Sequence, residues 1–148
     1  MRIRMIAAVS IAAAATTTGI TASAHADNGS QQFQSPSGNI TCDLIYYPPG
    51  PSVGEGGNSV QCDIGDHTWV APQPTPPQHH DAIIFRRDAS PQVINPPGPF
   101  GAYGPTLDYG QTRSAGAITC DSEPSGITCR DSSSDHFFFV SRDSYQLG

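Results

Sequence analysis

Four short segments of the chain repeat one alternation of apolar and polar residues around a cysteine. They are Ile40-Thr41-Cys42-Asp43, Val60-Gln61-Cys62-Asp63, Ile118-Thr119-Cys120-Asp121 and Ile127-Thr128-Cys129-Arg130. On a β-strand, side chains alternate between two faces, so the β-branched residue and the cysteine share one face and the polar pair occupies the other. The pattern therefore predicts four strands, each with an apolar face that carries a cysteine.

The second pair of segments flanks a short turn, Glu123-Pro124-Ser125-Gly126. Proline in the second position and glycine in the fourth are typical of a type I turn. If Glu123 lies opposite Gly126, Cys120 falls directly opposite Cys129, because the residue numbers of paired positions in an antiparallel hairpin add up to a constant. The turn therefore predicts a hairpin of residues 116–121 and 127–130 closed by a Cys120–Cys129 disulfide.

The first pair of segments predicts a longer hairpin, with strands at 39–46 and 58–64 joined by a loop rich in proline and glycine. If Ser35 lies opposite Gly38 in the turn Ser35-Pro36-Ser37-Gly38, the same rule places Gln31 opposite Cys42. We therefore expect Cys42 to form its disulfide with Cys62, in the strand that follows. Four cysteines allow three pairings, and we favour this one together with Cys120–Cys129.

The rest of the chain alternates between proline-rich loops and short apolar runs. Residues 72–81 predict an extended polyproline stretch, because proline cannot donate to a sheet. We expect an edge strand at 82–86 and a loop at 91–105, and residues 145–147 close the chain. The run at 136–142 is apolar on both faces, which predicts a central strand.

These elements predict a single all-β domain at 35–148, a small antiparallel, disulfide-stapled barrel or sandwich with almost no helix. Residues 27–34 form a polar lead-in, and a proline-rich excursion covers about 72–105. The apolar clusters are small. Two disulfide loops of this size would contribute about 3 kcal/mol each to stability.

The first 26 residues have the pattern of a cleaved signal peptide. Arg2 and Arg4 precede an apolar run at 5–15, and Ala24-His25-Ala26 is a cleavage signal that would place the mature start at Asp27. No later segment is apolar enough to cross a membrane. We expect a protein that is secreted or held in the cell envelope, where disulfides persist. Cysteine separations of 20 and 9 residues do not fit a zinc site.

The chain after residue 26 is strongly acidic. It carries five arginines, no lysine and all thirteen acidic residues, a net charge of −8. This charge argues against nucleic acid as a partner and permits a cationic one.

Candidate metal ligands occur in two places. Acidic residues surround the second hairpin, and His79-His80-Asp81 combines imidazole with carboxylate in the proline-rich stretch. We interpret the acidic residues as solvated surface and the histidine pair as mobile, with no cofactor implied. The acidic residues are Asp121, Glu123, Asp131 and Asp135.

One histidine is a candidate for catalysis, and a set of aromatic residues is a candidate for ligand binding. His136 could serve a small hydrolase together with nearby acids, although no G-x-S-x-G nucleophile motif is present. His67 is isolated, and we interpret it as a strand-end residue. Aromatic residues could line a carbohydrate or peptide groove or could simply fill the core. They are Trp69, Tyr46, Tyr47, Tyr103 and Tyr109.

Motifs at both ends of the exported chain resemble a family of small secreted actinobacterial, especially mycobacterial, proteins of unknown function. They are Phe33-x-Ser-Pro-Ser-Gly-Asn-Ile-x-Cys42, Tyr109-Gly110, the Ser-Gly-Ile-Thr-Cys129 hairpin, His136-Phe137 and Ser141-Arg142-x-x-Tyr145. The resemblance implies secretion and a disulfide-bonded fold, and it brings no established activity, cofactor or catalytic residue. Many relatives of this kind hold another cysteine pair in the middle, where this chain has proline.

We therefore expect a secreted, non-catalytic binding or interaction domain with an envelope, glycan or protein partner. The alternative is a small extracellular hydrolase that uses His136 and nearby acids.

Overall fold

The computed structural model describes residues 29–51 and 54–148. They form ten antiparallel strands in two five-stranded sheets, with no α-helix in this part of the chain. The first sheet has the order β1-β2-β3-β4-β5 and the second the order β10-β9-β8-β7-β6. The strands are β1 Gly29–Gln34, β2 Ile40–Tyr47, β3 Gly57–Ile64, β4 Asp81–Arg86, β5 Gln92–Ile94, β6 Thr112–Ala115, β7 Ile118–Glu123, β8 Gly126–Asp131, β9 Phe137–Val140 and β10 Tyr145–Leu147.

The two sheets repeat one plan. Each is a simple meander. In each, a disulfide joins the strands that are second and third in chain order, β2 to β3 and β7 to β8. The identical segments Ile40–Asp43 and Ile118–Asp121 lie in β2 and β7, which are the second strands of their sheets. The repeated cysteine pattern therefore corresponds to equivalent positions in two equivalent halves.

Both predicted disulfides are confirmed. Cys42 lies directly opposite Cys62 and Cys120 directly opposite Cys129, with Cα–Cα distances of 4.1 and 4.0 Å. All four cysteines are fully buried in one hydrophobic core. The short Cα separations are typical of positions where paired strands approach most closely, between hydrogen-bonded pairs.

The core lies between the two sheets, as the alternation of apolar residues requires. Its largest members come from both sheets, with Phe33 and Phe85 from the first and Phe138 from the second. Within the described residues, the first and last strands of each sheet do not pair with each other, so neither sheet closes on itself. Of the two predicted architectures, the structure is therefore the sandwich.

Buried Asn58 joins the two sheets at one end of the sandwich. Its amide nitrogen donates to the carbonyls of Ile45 and Ala115, both at 3.0 Å, and its oxygen accepts from the N–H of Ala117 at 2.8 Å. Gly116 lies against this amide with φ +57°, and a Cβ there would approach Asn58 Oδ1 to 2.6 Å. The β6–β7 turn therefore depends on an asparagine and a glycine that belong to different sheets.

Several expectations for the strands need correction. Residues 29–34, expected only as a polar lead-in, form β1, whose single large apolar side chain, Phe33, is fully buried. The strand at 82–86 is not an edge strand, because β5 pairs outside it at residues expected to be loop. β6 and β10 were also not predicted as strands. The four missed strands are short or polar, and their backbone pairing leaves little trace in the sequence.

The register of the first turn also differs from the prediction. Phe33, and not Gln31, lies opposite Cys42. The reason is that the hydroxyl of Ser35 accepts the N–H of Ile40 at 3.2 Å while Ser35 N–H donates to the Ile40 carbonyl at 2.8 Å. The residue numbers of paired positions across this turn therefore add up to two more than expected. Cys42 still pairs on its other side with Cys62.

The proline-rich excursion is held against the outer face of the first sheet. Asp63 on β3 is its main attachment: Tyr103 donates to Asp63 at 3.0 Å, and His80 Nε2 lies 3.3 Å from the same carboxylate. Burial, reinforced by the charge of Asp63, raises the pKa of Tyr103 to about 12, so the phenol stays a donor at ordinary pH. The excursion is therefore ordered and is interrupted by β4 and β5.

The predicted signal peptide, with its cleavage between Ala26 and Asp27, lies outside the described residues. Within the described ranges, no helix is long and apolar enough to span a membrane.

Candidate binding site: the turn-end cleft

Four turns, two from each sheet, meet at one end of the sandwich around a cleft of about 530 Å³. They are the β1–β2, β3–β4, β7–β8 and β9–β10 connections. We call this the turn-end cleft. A volume of this size is in the range of small-molecule sites. It is lined by Ser35, Ser37, Asn39, Asp66, Tyr109, Glu123, Pro124, Ser125, Gly126, Ser141, Arg142 and Asp143.

The first wall is fixed by the amide of Asn39. Its nitrogen donates to the carbonyl of Asp66 at 2.8 Å, and its oxygen accepts the N–H of Asp66 at 2.7 Å. The hydroxyls of Ser35 and Ser37 share a hydrogen bond of 3.0 Å inside the β1–β2 turn. These serines hold the turn, and the side-chain carboxylate of Asp66 is left at the exposed surface.

The second wall is formed by the β9–β10 turn. The hydroxyl of Ser141 accepts the N–H groups of Asp143 and Ser144 at 3.2 and 3.1 Å. Trp69 Nε1 donates to the Ser141 carbonyl at 3.0 Å, and Thr68 N–H donates to the Arg142 carbonyl at 2.8 Å. These bonds tie the two sheets together at the cleft, so its walls are preorganised.

Tyr109 reaches the cleft from the connection between the sheets. The turn that carries it is fixed by two backbone bonds, Gly110 N–H to the Ser122 carbonyl at 2.7 Å and Gln111 N–H to the Asp108 carbonyl at 3.0 Å. Tyr109 is 48 % exposed. An aromatic ring held at this exposure offers a flat apolar surface and a polar hydroxyl to a ligand.

The charge in the cleft is negative. Three carboxylates, Asp66, Glu123 and Asp143, face one guanidinium, that of Arg142, which lies 3.7 Å from Asp143. Anionic ligands are therefore disfavoured, whereas carboxylates and a guanidinium together can accept from and donate to the hydroxyls of a neutral ligand.

The predicted His79-His80-Asp81 group does not converge. His79 Nδ1 lies 3.1 Å from the Pro77 carbonyl, His80 contacts Asp63, and Asp81 lies 2.8 Å from His67. The expectation of a mobile, solvated pair was wrong for His80, which is half-buried and has Nδ1 2.9 Å from the Gly98 carbonyl. These residues attach the proline-rich excursion to the sheet.

His136, the candidate catalytic histidine, lies apart from any acidic partner within the described chain. Its Nδ1 is 3.3 Å from the carbonyl of Gly148, and its ring meets the edge of Phe85. The described ion pairs that involve histidine are His67–Asp81 and His80–Asp63. The geometry around His136 is that of a side chain packed at the end of a strand.

The aromatic residues proposed to share a groove are dispersed. Trp69 stacks on His67 at 3.8 Å and meets Tyr145 edge-on, while Tyr103 lies on the outer face and Tyr46 packs against the core. Tyr47 is exposed at the end of β2, and Tyr109 alone of the five lines the turn-end cleft. The five residues therefore do not form the shared groove that was one of the two alternatives, and Tyr109 is the one ring of the five in the cleft.

The acidic residues around the second hairpin have separate partners. Asp121 accepts from Thr112 at 2.8 Å and Glu123 from Ser125 at 3.4 Å. Among residues 29–51 and 54–148, no three histidine, cysteine or acidic side chains are grouped to hold a metal ion.

Asp131, expected to be solvated surface, is instead buried and closes the β8–β9 loop. It accepts from the N–H and hydroxyl of Ser133 at 2.7 and 2.6 Å and from the hydroxyl of Ser134 at 3.2 Å. Burial alone would raise the pKa of Asp131. The hydrogen bonds, helped by the charge of Arg87, outweigh that effect and hold the pKa below its ordinary value of 3.8.

Replacing this carboxylate, Asp131→Asn, is expected to lower the free energy of unfolding by about 1–3 kcal/mol at neutral pH. Because the folded pKa is depressed, the contribution is present above the unfolded value of 3.8 and is lost as the pH falls through the folded value. Urea unfolding across this acid range measures both effects. Asp135→Asn, an exposed neighbour, is the control, and an equal loss in the two variants would contradict the prediction.

The sequence carries one sign of the turn-end cleft. Pro36-Ser37-Gly38 and Pro124-Ser125-Gly126 are the same turn sequence, and both turns line the cleft. Each turn sequence predicts only the register of its own hairpin, because the meeting of the two turns depends on how the sheets stack. The contributions of Asp66, Tyr109 and Arg142 have no local signature.

Fold and cleft together define a disulfide-bonded antiparallel β-sandwich with a polar cleft at one end. Two buried disulfides are typical of proteins that work in an oxidising compartment. No protein-family model matches the sequence, and no curated protein or solved structure matches it significantly.

Proposed function

We propose that the chain is a secreted, non-catalytic binding domain that holds a neutral glycan of the cell envelope in the turn-end cleft. The observation that carries the proposal is the exposed ring of Tyr109 in a cleft whose walls are fixed across both sheets. A sugar ring can lie on an aromatic face while its hydroxyls donate to Asp66 and Glu123 and accept from Arg142.

Secretion is supported by the predicted signal peptide and by the two disulfides. We also propose membership of the small secreted actinobacterial family that the motifs resemble. Four of the five motifs contribute residues to the lining of the same cleft, which supports the idea that the motifs belong together. These residues are Ser35, Ser37, Asn39, Tyr109, Ser125, Gly126, Ser141 and Arg142.

The hydrolase alternative has less support. His136 has a backbone carbonyl and an aromatic ring as its neighbours, and both ring nitrogens of His67 face acceptors, Asp81 and the Trp69 carbonyl. A general base needs one nitrogen free for the nucleophile. If the oxidised protein released new reducing ends from glycans and His136→Ala abolished that release, the alternative would be preferred.

The binding proposal predicts that Tyr109→Ala weakens the affinity for a neutral envelope glycan fraction about tenfold or more. Tyr47→Ala is the matched control, because Tyr47 is 47 % exposed and Tyr109 48 %, and Tyr47 does not line the cleft. Isothermal titration calorimetry of the oxidised protein compares the two variants. A uronate-rich glycan should bind more weakly than the neutral fraction. Equal losses in both tyrosine variants, or tighter binding of the anionic glycan, would contradict the proposal.

A further inference from the structure

A second pocket lies on the outer face of the first sheet and shares no lining residue with the turn-end cleft. It has a volume of about 290 Å³, and six of its residues come from the three adjacent strands β2, β3 and β4. Tyr103, held by its hydrogen bond to Asp63, forms a wall. We call this the outer-face pocket.

The strand register arranges the six side chains as two rows of three. One row is Asp43, Gln61 and Ile84, and the next is Ile45, Ser59 and Arg86. Opposite charges therefore occupy diagonal corners, Asp43 at one and Arg86 at the other. The two isoleucines occupy the remaining corners, and the neutral polar groups lie between.

The charged corners are available to a ligand. Asp43 accepts a hydrogen bond from the Ser30 hydroxyl, and Arg86 is exposed. Neither belongs to an ion pair within the described residues. This differs from the neighbouring Arg87, which lies 3.4 Å from Asp88.

The spacing of the corners sets the size of the ligand. Strands lie about 4.8 Å apart and rise about 3.4 Å per residue, so the Cα atoms of Asp43 and Arg86 are about 12 Å apart along the diagonal. The long, flexible side chain of Arg86 can reach across part of that gap. An extended peptide spans at most about 3.3–3.6 Å per residue, so two or three residues fit between the charges.

We infer that the outer-face pocket binds a short free peptide, two or three residues long, with its ammonium at Asp43 and its carboxylate at Arg86. A guanidinium can hold a carboxylate by two parallel hydrogen bonds, which suits Arg86 to the C-terminal end. The peptide's apolar side chains lie over Ile45 and Ile84, and its amide faces Gln61 and Ser59.

Chemical-shift titration of the ¹⁵N-labelled, oxidised chain with the dipeptide Ala-Leu tests this inference. We expect saturable shifts that cluster at the outer-face pocket. N-acetyl-Ala-Leu and Ala-Leu-amide each lack one charge and should bind at least about tenfold more weakly, the effect of losing one charge-assisted contact.

Protein variants supply the matching arm of the experiment. Arg86→Gln and Asp43→Asn should each weaken Ala-Leu binding about tenfold, whereas Arg87→Gln should leave it unchanged. An absence of saturable shifts, equal binding of the blocked peptides, or equal losses in Arg86→Gln and Arg87→Gln would overturn the inference. The blocked peptides test it without any change to the protein.

Discussion

Replacing Cys120 and Cys129 together by alanine is expected to lower the free energy of unfolding by about 3 kcal/mol, and replacing both cysteine pairs by about 6 kcal/mol. A disulfide restricts the unfolded chain, and the restriction grows slowly with the length of the closed loop. The separations are 20 and 9 residues, so loss of Cys42–Cys62 should cost slightly more. A total of this size is comparable with the whole stability of a small domain.

Urea unfolding of the wild type, the two pair variants and the four-alanine variant measures these losses. The chain without both pairs should be largely unfolded under conditions where each pair variant stays folded. Alanine is preferred to serine because all four sulfurs are buried, and a buried hydroxyl would add its own cost. A loss below about 1 kcal/mol for both pairs would contradict the expected role of the disulfides.

Asn58→Ala is expected to lower the free energy of unfolding by about 3–4 kcal/mol, a large effect for a single polar residue. The side chain is 6 % exposed and makes three hydrogen bonds, two of which reach the β6–β7 turn of the other sheet. Its removal leaves the carbonyls of Ile45 and Ala115 and the N–H of Ala117 without their partners. Each unpaired buried group costs about 1–3 kcal/mol.

Thermal or urea unfolding of Asn58→Ala can be compared with Gln31→Ala. Gln31 donates one part-buried hydrogen bond of 3.3 Å to Ser114 of the other sheet, so its loss should cost about 1 kcal/mol or less. Asn58→Asp should be at least as damaging as alanine, because a carboxylate would face two carbonyl oxygens. Similar stability for Asn58→Ala and Gln31→Ala would contradict the expected role of Asn58 in joining the two sheets.

Features fixed by local chemistry could be predicted from the sequence. The Cys120–Cys129 disulfide followed from one turn, because Glu123 and Gly126 set the register of a tight hairpin. The register of the first turn could not be predicted in this way, because it depends on the hydroxyl of Ser35, which replaces a backbone acceptor. A side-chain bond of this kind changes the loop without changing the turn sequence.

Features fixed by the stacking of the sheets could not be predicted. β1 and β6 carry few apolar residues and are held by backbone pairing, so the alternation that marks β2 and β7 is weak in them. The meeting of Asp66, Tyr109 and Arg142 in the turn-end cleft depends on which ends of the two sheets coincide. The same holds for Asn58, whose neighbours in sequence give no sign of a contact with Ala117.

Mapping of the glycan-binding surface by NMR tests the proposed function most directly. The oxidised ¹⁵N-labelled protein is titrated with the neutral envelope glycan fraction, and the shifted amides are placed on the structure. We expect saturable shifts at Ser37, Tyr109, Ser125 and Arg142, which are four of the residues that line the turn-end cleft. Shifts centred on the opposite end, at Gly57 and Arg87, or no saturable shifts at all, would contradict the assignment of the cleft as the binding site.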